Sequence, residues 1–333
     1  MIPLANQPML YYGLRHLAEA NIREVGIVLG PIREGIEEAV GDGSRFGLSV
    51  SYVEQGAPRG LADAVRCAGP FLGQEPFVMY LGDNVLEEGV RPLAEAFAAG
   101  DADAVIGVTP VRDPSRYGIV EIEGARIVSI EEKPRTPRSH LALIGVYVFG
   151  PEVHRTIESL SPSARGELEI TDAIWRLHQA RGRVRVRNVS GWWKDTGRPE
   201  DLLEANERIL QTMPASAFVR AGSAAAGSHL TGHVAIGEGA AVGADVTITG
   251  PVVIGPGARV LDGARVGPAV ALGAGATIRA AQVERSIVLE GARIEGPLHL
   301  RDSIVGRDAV VRRSGLPGAD TVCVVGDSTQ IAF

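Results

Sequence analysis

The chain carries two hydrophobic rhythms. Up to about residue 212, apolar runs alternate with amphipathic stretches of helical length. Pro8 to Ala20 reads as a helix with Leu10, Leu14 and Leu17 on one face, and Val25 to Gly30 as a short buried strand ending on glycine. Ile32 to Val40 reads as a charged surface helix closed by Gly41-Asp42-Gly43. Ser49 to Val53 and Pro76 to Leu81 read as strands, with Gly60 to Ala68 a helix between them. Such alternation predicts an α/β domain whose parallel sheet is covered on both faces. Ligands of these sheets bind beyond the C-terminal strand ends, which here carry Gly30, Gln55 and Gly82-Asp83-Asn84.

After Thr212-Met213-Pro214 the rhythm changes. Leu230, Ile236, Val242, Ile248, Ile254, Val260, Val266, Leu272 and Ile278 stand six apart, and the period returns at Val288, Ile294 and Leu300, then at Ile304 and Val310. Neither a strand's period of two nor a helix's 3.6 produces six. A hexapeptide repeat predicts a left-handed parallel β-helix, with one aliphatic residue per short strand pointing inward. Gly237, Gly243, Gly255, Gly267 and Gly273 each follow an inward residue, where glycine would ease the corner conformation. Ala280-Ala281-Gln282 interrupts the repeat and reads as a loop or a distorted coil. The expected division is 1–212 and 213–333.

Composition narrows the function. The 333 residues suit two domains, and 45% hydrophobic with 22% charged residues is the balance of a folded protein. A net charge of -7 disfavours a nucleic-acid partner, whose phosphates call for a basic footprint. No apolar run reaches a membrane span and the N-terminus lacks a signal-peptide pattern, so a cytoplasmic location and no membrane partner are expected. The two cysteines, Cys67 and Cys323, suit a reducing compartment. Of 33 basic residues, all but Lys133 and Lys194 are arginine, so each lysine invites a role for a compact ammonium.

Four clusters could carry chemistry. Leu81-Gly82-Asp83-Asn84 follows an apolar strand, where a carboxylate after a close-approach glycine can hold a divalent cation near phosphates; it reads equally as a turn. Glu131-Glu132-Lys133-Pro134 ends a strand, where the acids could take hydroxyls and the lysine a phosphate; a solvated charged turn is the plain alternative. Ser163 to Asp172 sets Arg165 and Glu167 at a helix start, which capping alone would also explain. Trp192-Trp193-Lys194-Asp195-Thr196-Gly197 joins aromatic bulk to a charged pair, as a cleft wall or a Trp-anchored hairpin would. Its Asp195 could share a metal with Asp83. His229, His233 and His299 lie in the repeat region, without a metal-ligand spacing or an evident general-base partner.

Together and in this order, the clusters resemble the long-form glucose-1-phosphate thymidylyltransferases (dTDP-glucose synthases) of the sugar nucleotidyltransferase family. The likeness also rests on Leu4 to Met9, Gly41 to Ser44, Gln55 with Gly60-Leu61-Ala62, and Arg116 to Glu121. It implies a Rossmann-like mixed sheet in residues 1–212. It further implies transfer of a thymidylyl group from dTTP to glucose 1-phosphate with Mg²⁺, by in-line attack on the α-phosphorus. By the same resemblance Asp83 and Asp195 hold the metal, and Gln55, Gly60 and Gly82 contact the nucleotide. Gly118, Glu132, Lys133, Leu143 and Glu167 meet the sugar phosphate, with Lys133 on the phosphate.

The sequence departs from the pattern at its start. Relatives open with a strand, a Gly-rich loop and a lysine ahead of the segment matching Ile2-Pro3-Leu4, and Gln7 stands where many have lysine. Either the start lies further upstream or the chain is a truncated paralogue that binds sugar nucleotide without turning it over; as written, loss of normal turnover is expected. Without that central strand, two strand edges should be open. UTP is the alternative nucleotide, and acyl transfer by the β-helix a third function. A homo-oligomer is expected, because a solenoid's flat faces and open ends need covering.

Overall fold

The computed structural model describes residues 2–31, 35–124, 126–180, 182–314 and 320–333. Two compact units result, one of Leu10–Asp195 and one of Ile2–Met9 with Thr196–Phe333.

The short strands β1 (Pro3–Leu4) and β2 (Gln7–Pro8) form a hairpin in the second unit. In the first unit α1 (Leu10–Glu19) buries Tyr11, Leu14 and Leu17, so two of the three expected leucines form its inner face. β3 (Glu24–Leu29) pairs in parallel with β4 (Ser49–Glu54), and α2 (Ile36–Val40) lies between them in the chain. The remainder of the expected Ile32 to Val40 helix includes residues 32–34, outside the described residues. Next come α3 (Leu61–Cys67), α4 (Gly69–Leu72), β5 (Phe77–Tyr80), β6 (Asn84–Leu86), α5 (Arg91–Ala98) and β7 (Ala104–Pro110). They are followed by β8 (Gly118–Glu123), β9 (Arg126–Glu132), β10 (Leu141–Phe149), α6 (Glu152–Glu158), α7 (Ile170–Gln179), β11 (Val184–Asn188) and β12 (Trp193–Asp195).

The main sheet runs β11-β7-β10-β8-β9, with β5 also on β10. A wholly parallel sheet is therefore not what forms. Only β11–β7 is parallel within it, and β10 is antiparallel to β5, β7 and β8. Hairpin-linked strands such as β8 and β9 need no crossover helix, and the loss of strict alternation after β7 permits them. The mixed sheet that the resemblance implies is present. Among the described residues β3 and β4 pair only with each other and β5 only with β10, which leaves the open edges anticipated above.

The second unit is a parallel β-helix of three sheets, with seven, five and six strands among the described residues. Its interior is the aliphatic column read from the repeat, Ile236, Val242, Ile248, Ile254, Val260, Val266, Leu272 and Ile278, with Leu230 packed against it. The interruption is a shortened coil. Val260 lies beside Ile278 eighteen residues on, Val266 beside Val283 seventeen on, and Leu272 beside Val288 sixteen on. The register changes once more after Leu300, where the next inward residue is Val305, five on, so Val305 and Val311 fill the interior in place of the expected Ile304 and Val310. The glycines also act differently from expectation. Of the five, only Gly267 has a positive φ. A Cβ at Gly237, Gly255 or Gly273 would instead lie 2.6–2.7 Å from backbone nitrogen of the next coil, so close stacking is the reason.

One face of the β-helix is covered within its own unit. The hairpin and α8 (Pro199–Thr212) lie on it: Asn6 Nδ2 donates to Leu272 O at 2.7 Å, and Ala5 N to the buried Asn206 Oδ1 at 2.8 Å. Arg285 bridges Glu207 at 3.2 Å and Asp302. Cys67 and Cys323 are both free thiols. Among the described residues no helix is long and apolar enough to cross a membrane.

Candidate active site

The pairing of β6 with β12 brings two distant parts of the sequence together. Asp195 stands opposite Asn84 in the antiparallel register, so it lies beside Asp83. Asp83 keeps contact with solvent, yet protein surrounds it on most sides. That loss of water, and then the negative charge of Asp195, push its carboxyl above the ordinary aspartate range. Asn84 orients it, donating from Nδ2 to Asp83 Oδ1 at 3.0 Å. Asn84 is in turn fixed by Trp193, whose Nε1–H is shared between Asn84 Oδ1 at 2.8 Å and Ile144 O at 2.9 Å. That carbonyl is available because β10 changes register between Leu143 and Tyr147, around Gly145 at φ +73°.

A second cluster gathers on β8, β9, β10 and α7. Gly118 faces Glu132 across β8–β9. A Cβ at Gly118 would meet Thr171 Cγ2 at 2.6 Å, and Glu132 Oε2 and Leu143 Cδ1 at 3.1 Å, so these side chains converge on a glycine. Glu132 is raised above the usual glutamate range by burial, then by the charge of Glu169, with Lys133 and Arg165 opposing. Arg165 reaches Glu132 at 3.4 Å, Glu167 at 3.2 Å and Glu169 at 3.4 Å. One guanidinium thus ties three carboxylates together, and Glu169 is a member that the motifs did not single out. Its place at the helix start makes it look like an ordinary first-turn acid. Lys133 Nζ lies 3.9 Å from Glu132 Oε1, and the side chain is half-exposed. Its backbone is left-handed at φ +42°, held by a bond from Lys133 N to Tyr117 O at 3.0 Å.

The two clusters are joined. The Tyr117 ring meets the Trp193 ring edge-on with centroids 5.5 Å apart. Contacts therefore run from the Lys133 backbone through Tyr117 and Trp193 to Asn84 and Asp83.

The remaining expected contacts fall at a third place. Gln55 continues from the end of β4, and its side-chain amide bonds to Gly60 O at 3.2 Å. Gly60 itself has φ +101°, and a Cβ there would come 2.5 Å from Leu168 O, so this position excludes other residues. At Gly82 the fold leaves room, since a Cβ there would meet only Leu10 Cδ1, at 3.5 Å. In the β-helix, His233 stacks on Phe218 at 4.9 Å. His299 does have acidic neighbours, Asp320 at 2.6 Å and Glu284 at 3.4 Å, which stacking of successive coils supplies and linear spacing hides.

Residues 1–212 match the family model described as nucleotidyl transferase, and residues 248–332 match the GMPPB C-terminal domain. A Streptomyces griseus glucose-1-phosphate thymidylyltransferase is 42% identical over 99% of this chain and 92% of its own length. The Haloferax volcanii low-salt glycan biosynthesis nucleotidyltransferase Agl11 is 41% identical over 99% of this chain and 93% of its own. Among solved structures, a Bacillus anthracis protein provisionally named a glucose-1-phosphate thymidylyltransferase superimposes with TM-score 0.60 at 34% identity. It covers 64% of this chain and 86% of its own.

Proposed function

Because the chain belongs to the nucleotidyl transferase family, we propose that it transfers the thymidylyl group of dTTP to glucose 1-phosphate, forming dTDP-glucose and pyrophosphate. The observation that carries this reading is the convergence of Asp83 and Asp195 across β6–β12. Two adjacent carboxylates, one of them holding its proton more tightly because of burial and then the charge of the other, are hard oxygen donors in want of positive charge. A hydrated Mg²⁺, which takes one or two carboxylates and completes its shell with water and phosphate oxygens, fits them. Among the described residues no larger group of His, Cys, Asp and Glu could hold a metal. When bound, the ion would neutralise charge on the nucleotide's phosphates.

The chain's own residues then position the reactants. A phosphate oxygen of glucose 1-phosphate attacks the α-phosphorus in line; the bond to the β-phosphate oxygen breaks and pyrophosphate departs with the electron pair. No covalent enzyme intermediate is needed, so alignment supplies most of the acceleration. Lys133 is the ammonium for the hexose phosphate, and Glu132 and Glu167 accept from sugar hydroxyls. Gly118 and Leu143 leave the space in which the ring lies. Gln55 and Gly60 read the base.

The test is pyrophosphate release from dTTP and from UTP with glucose 1-phosphate and Mg²⁺, with nucleotide binding measured separately from turnover. In Lys133→Met the KM for glucose 1-phosphate rises about tenfold or more, the scale of a lost charge-assisted contact, while that for dTTP holds. Preference for UTP would replace the nucleotide and keep the reaction. Absence of both dTTP binding and release would overturn the proposal.

A further inference from the structure

Gln55 turns its amide into the protein. Its backbone N–H bonds to Leu29 O at 2.8 Å, and side-chain Nε2 donates to Gly60 O at 3.2 Å and to Asp63 Oδ2 at 2.9 Å. A carbonyl and a carboxylate only accept, so the amide faces them with its NH₂ and not with its oxygen. Both N–H groups are thereby used. Oε1 is the amide's remaining polar atom, and it has no partner among the described residues. The Gly60 N–H likewise has none.

Asp63 is the stronger of the two acceptors that set this orientation. It stands in the first turn of α3, only 3% exposed, where burial of an acid is unfavourable unless it is bonded on all sides. Its Oδ1 takes the Arg66 guanidinium and its Oδ2 the Gln55 amide, so it has one oxygen for each. Packing alone would be served by an apolar residue here.

We propose that Asp63 is a positioning residue for nucleotide choice, locking the Gln55 amide so that the base meets an acceptor, Oε1, and not a donor. An acceptor from Gln55 beside a donor from Gly60 suits a base edge that carries an imino N–H next to a carbonyl, as thymine and uracil do at N3. Cytosine presents a bare acceptor nitrogen at N3 and is repelled. The inference rests on the thymidylyl reading and extends it: the Gly60 carbonyl holds the amide by one bond of 3.2 Å, and the Asp63 carboxylate adds a charge-assisted one of 2.9 Å.

Asp63→Asn tests it with almost no change of shape. Arg66 holds the remaining oxygen, so the new NH₂ faces Gln55 Nε2 and removes its charged acceptor; only the Gly60 carbonyl still holds the amide, which is then free to turn and present a donor to the base. Affinities for dTTP and dCTP are measured by titration calorimetry on the full chain, with glucose 1-phosphate affinity and Tm as controls. The wild type should favour dTTP over dCTP at least tenfold; Asp63→Asn should lose about tenfold of that ratio, with glucose 1-phosphate affinity unchanged. Arg66→Gln, which removes the ion pair but keeps the acceptor, should retain the wild-type ratio. An unchanged ratio in Asp63→Asn overturns the inference and leaves the thymidylyl reading standing. A wild type without preference for dTTP overturns both. The wild type also gives a readout free of any variant: in ¹⁵N-edited spectra the Gln55 NH₂ protons should stay protected and unmoved when dTTP is added. A shift showing that they donate to the base would overturn the inference.

Discussion

The two units handle polar groups in opposite ways. Inside the β-helix the column from Val234 to Val311 is aliphatic, and its buried serines are satisfied by neighbouring coils. Ser286 Oγ accepts from Ser303 N at 3.1 Å, and Ser303 Oγ from Cys323 N at 2.9 Å. The nucleotidyl transferase unit instead sets carboxylates against each other. Burial raises the proton affinity of Asp83 and of Glu132, and the charges of Asp195 and Glu169 raise it further. Like charges held in place disfavour the fold that holds them. Like charges thus converge in the first unit, while the interior of the β-helix is held by aliphatic packing.

Four substitutions sharpen or break that contrast. The largest effect belongs to Asp195→Ala, which should lower pyrophosphate release by roughly 10³-fold through lost charge stabilisation, with β-helix melting unchanged. Near-normal rates would mean that the paired aspartates are incidental. Ile254→Ala, at a residue 1% exposed, should lower stability by about 2–5 kcal/mol in urea titration while nucleotide affinity holds. If affinity fell in parallel, the division into a packing unit and a chemical unit would be wrong.

Glu132→Gln gives a pH signature. Because the folded-state pKa of Glu132 is raised, the folded wild type binds the proton more tightly than the unfolded chain does. Its stability relative to Glu132→Gln should therefore fall as pH rises from the ordinary glutamate value through the raised one, and then level off. A difference that stays flat across that range in Tm scans would remove the argument for strain at this cluster. The smallest effect is expected at Arg285→Ala. This half-exposed arginine contacts Glu207 and Asp302, and its loss should change stability by about 0–1 kcal/mol. A larger loss would show that α8 depends on this pair.

The β-helix was almost wholly legible, because one inward aliphatic every six residues is a periodic demand that few other structures make. The interruption at Ala280-Ala281-Gln282 was legible as a loop or a distorted coil, and what escaped was the choice between them, since only the register shows a coil shortened by two residues. In the other unit the motif residues were legible, and the grouping of Asp83 with Asp195 was implied by the family resemblance and not by the pattern of the chain. Asp83 and Asp195 are 112 positions apart, and only the antiparallel β6–β12 pair puts them side by side. Glu169 and Asp63 were invisible for a different reason. Each sits in a helix start, where acids are common, and only burial with a specific partner distinguishes them.

The change of pitch beyond residue 279 does not change which site of the repeat faces whatever approaches the β-helix along one wall. With strides of eighteen, each outward column repeats the same site of the hexapeptide, as Ala241 and Arg259 do beneath Thr277. With strides of sixteen and seventeen, the column continues through Arg293 and Val310, which still stand one residue before the inward Ile294 and Val311. A visitor travelling along that wall therefore stays on one site of the repeat, because the missing residues are taken from the corners between Thr277–Arg279, Gln282–Glu284 and Ile287–Val288 and not from the strands.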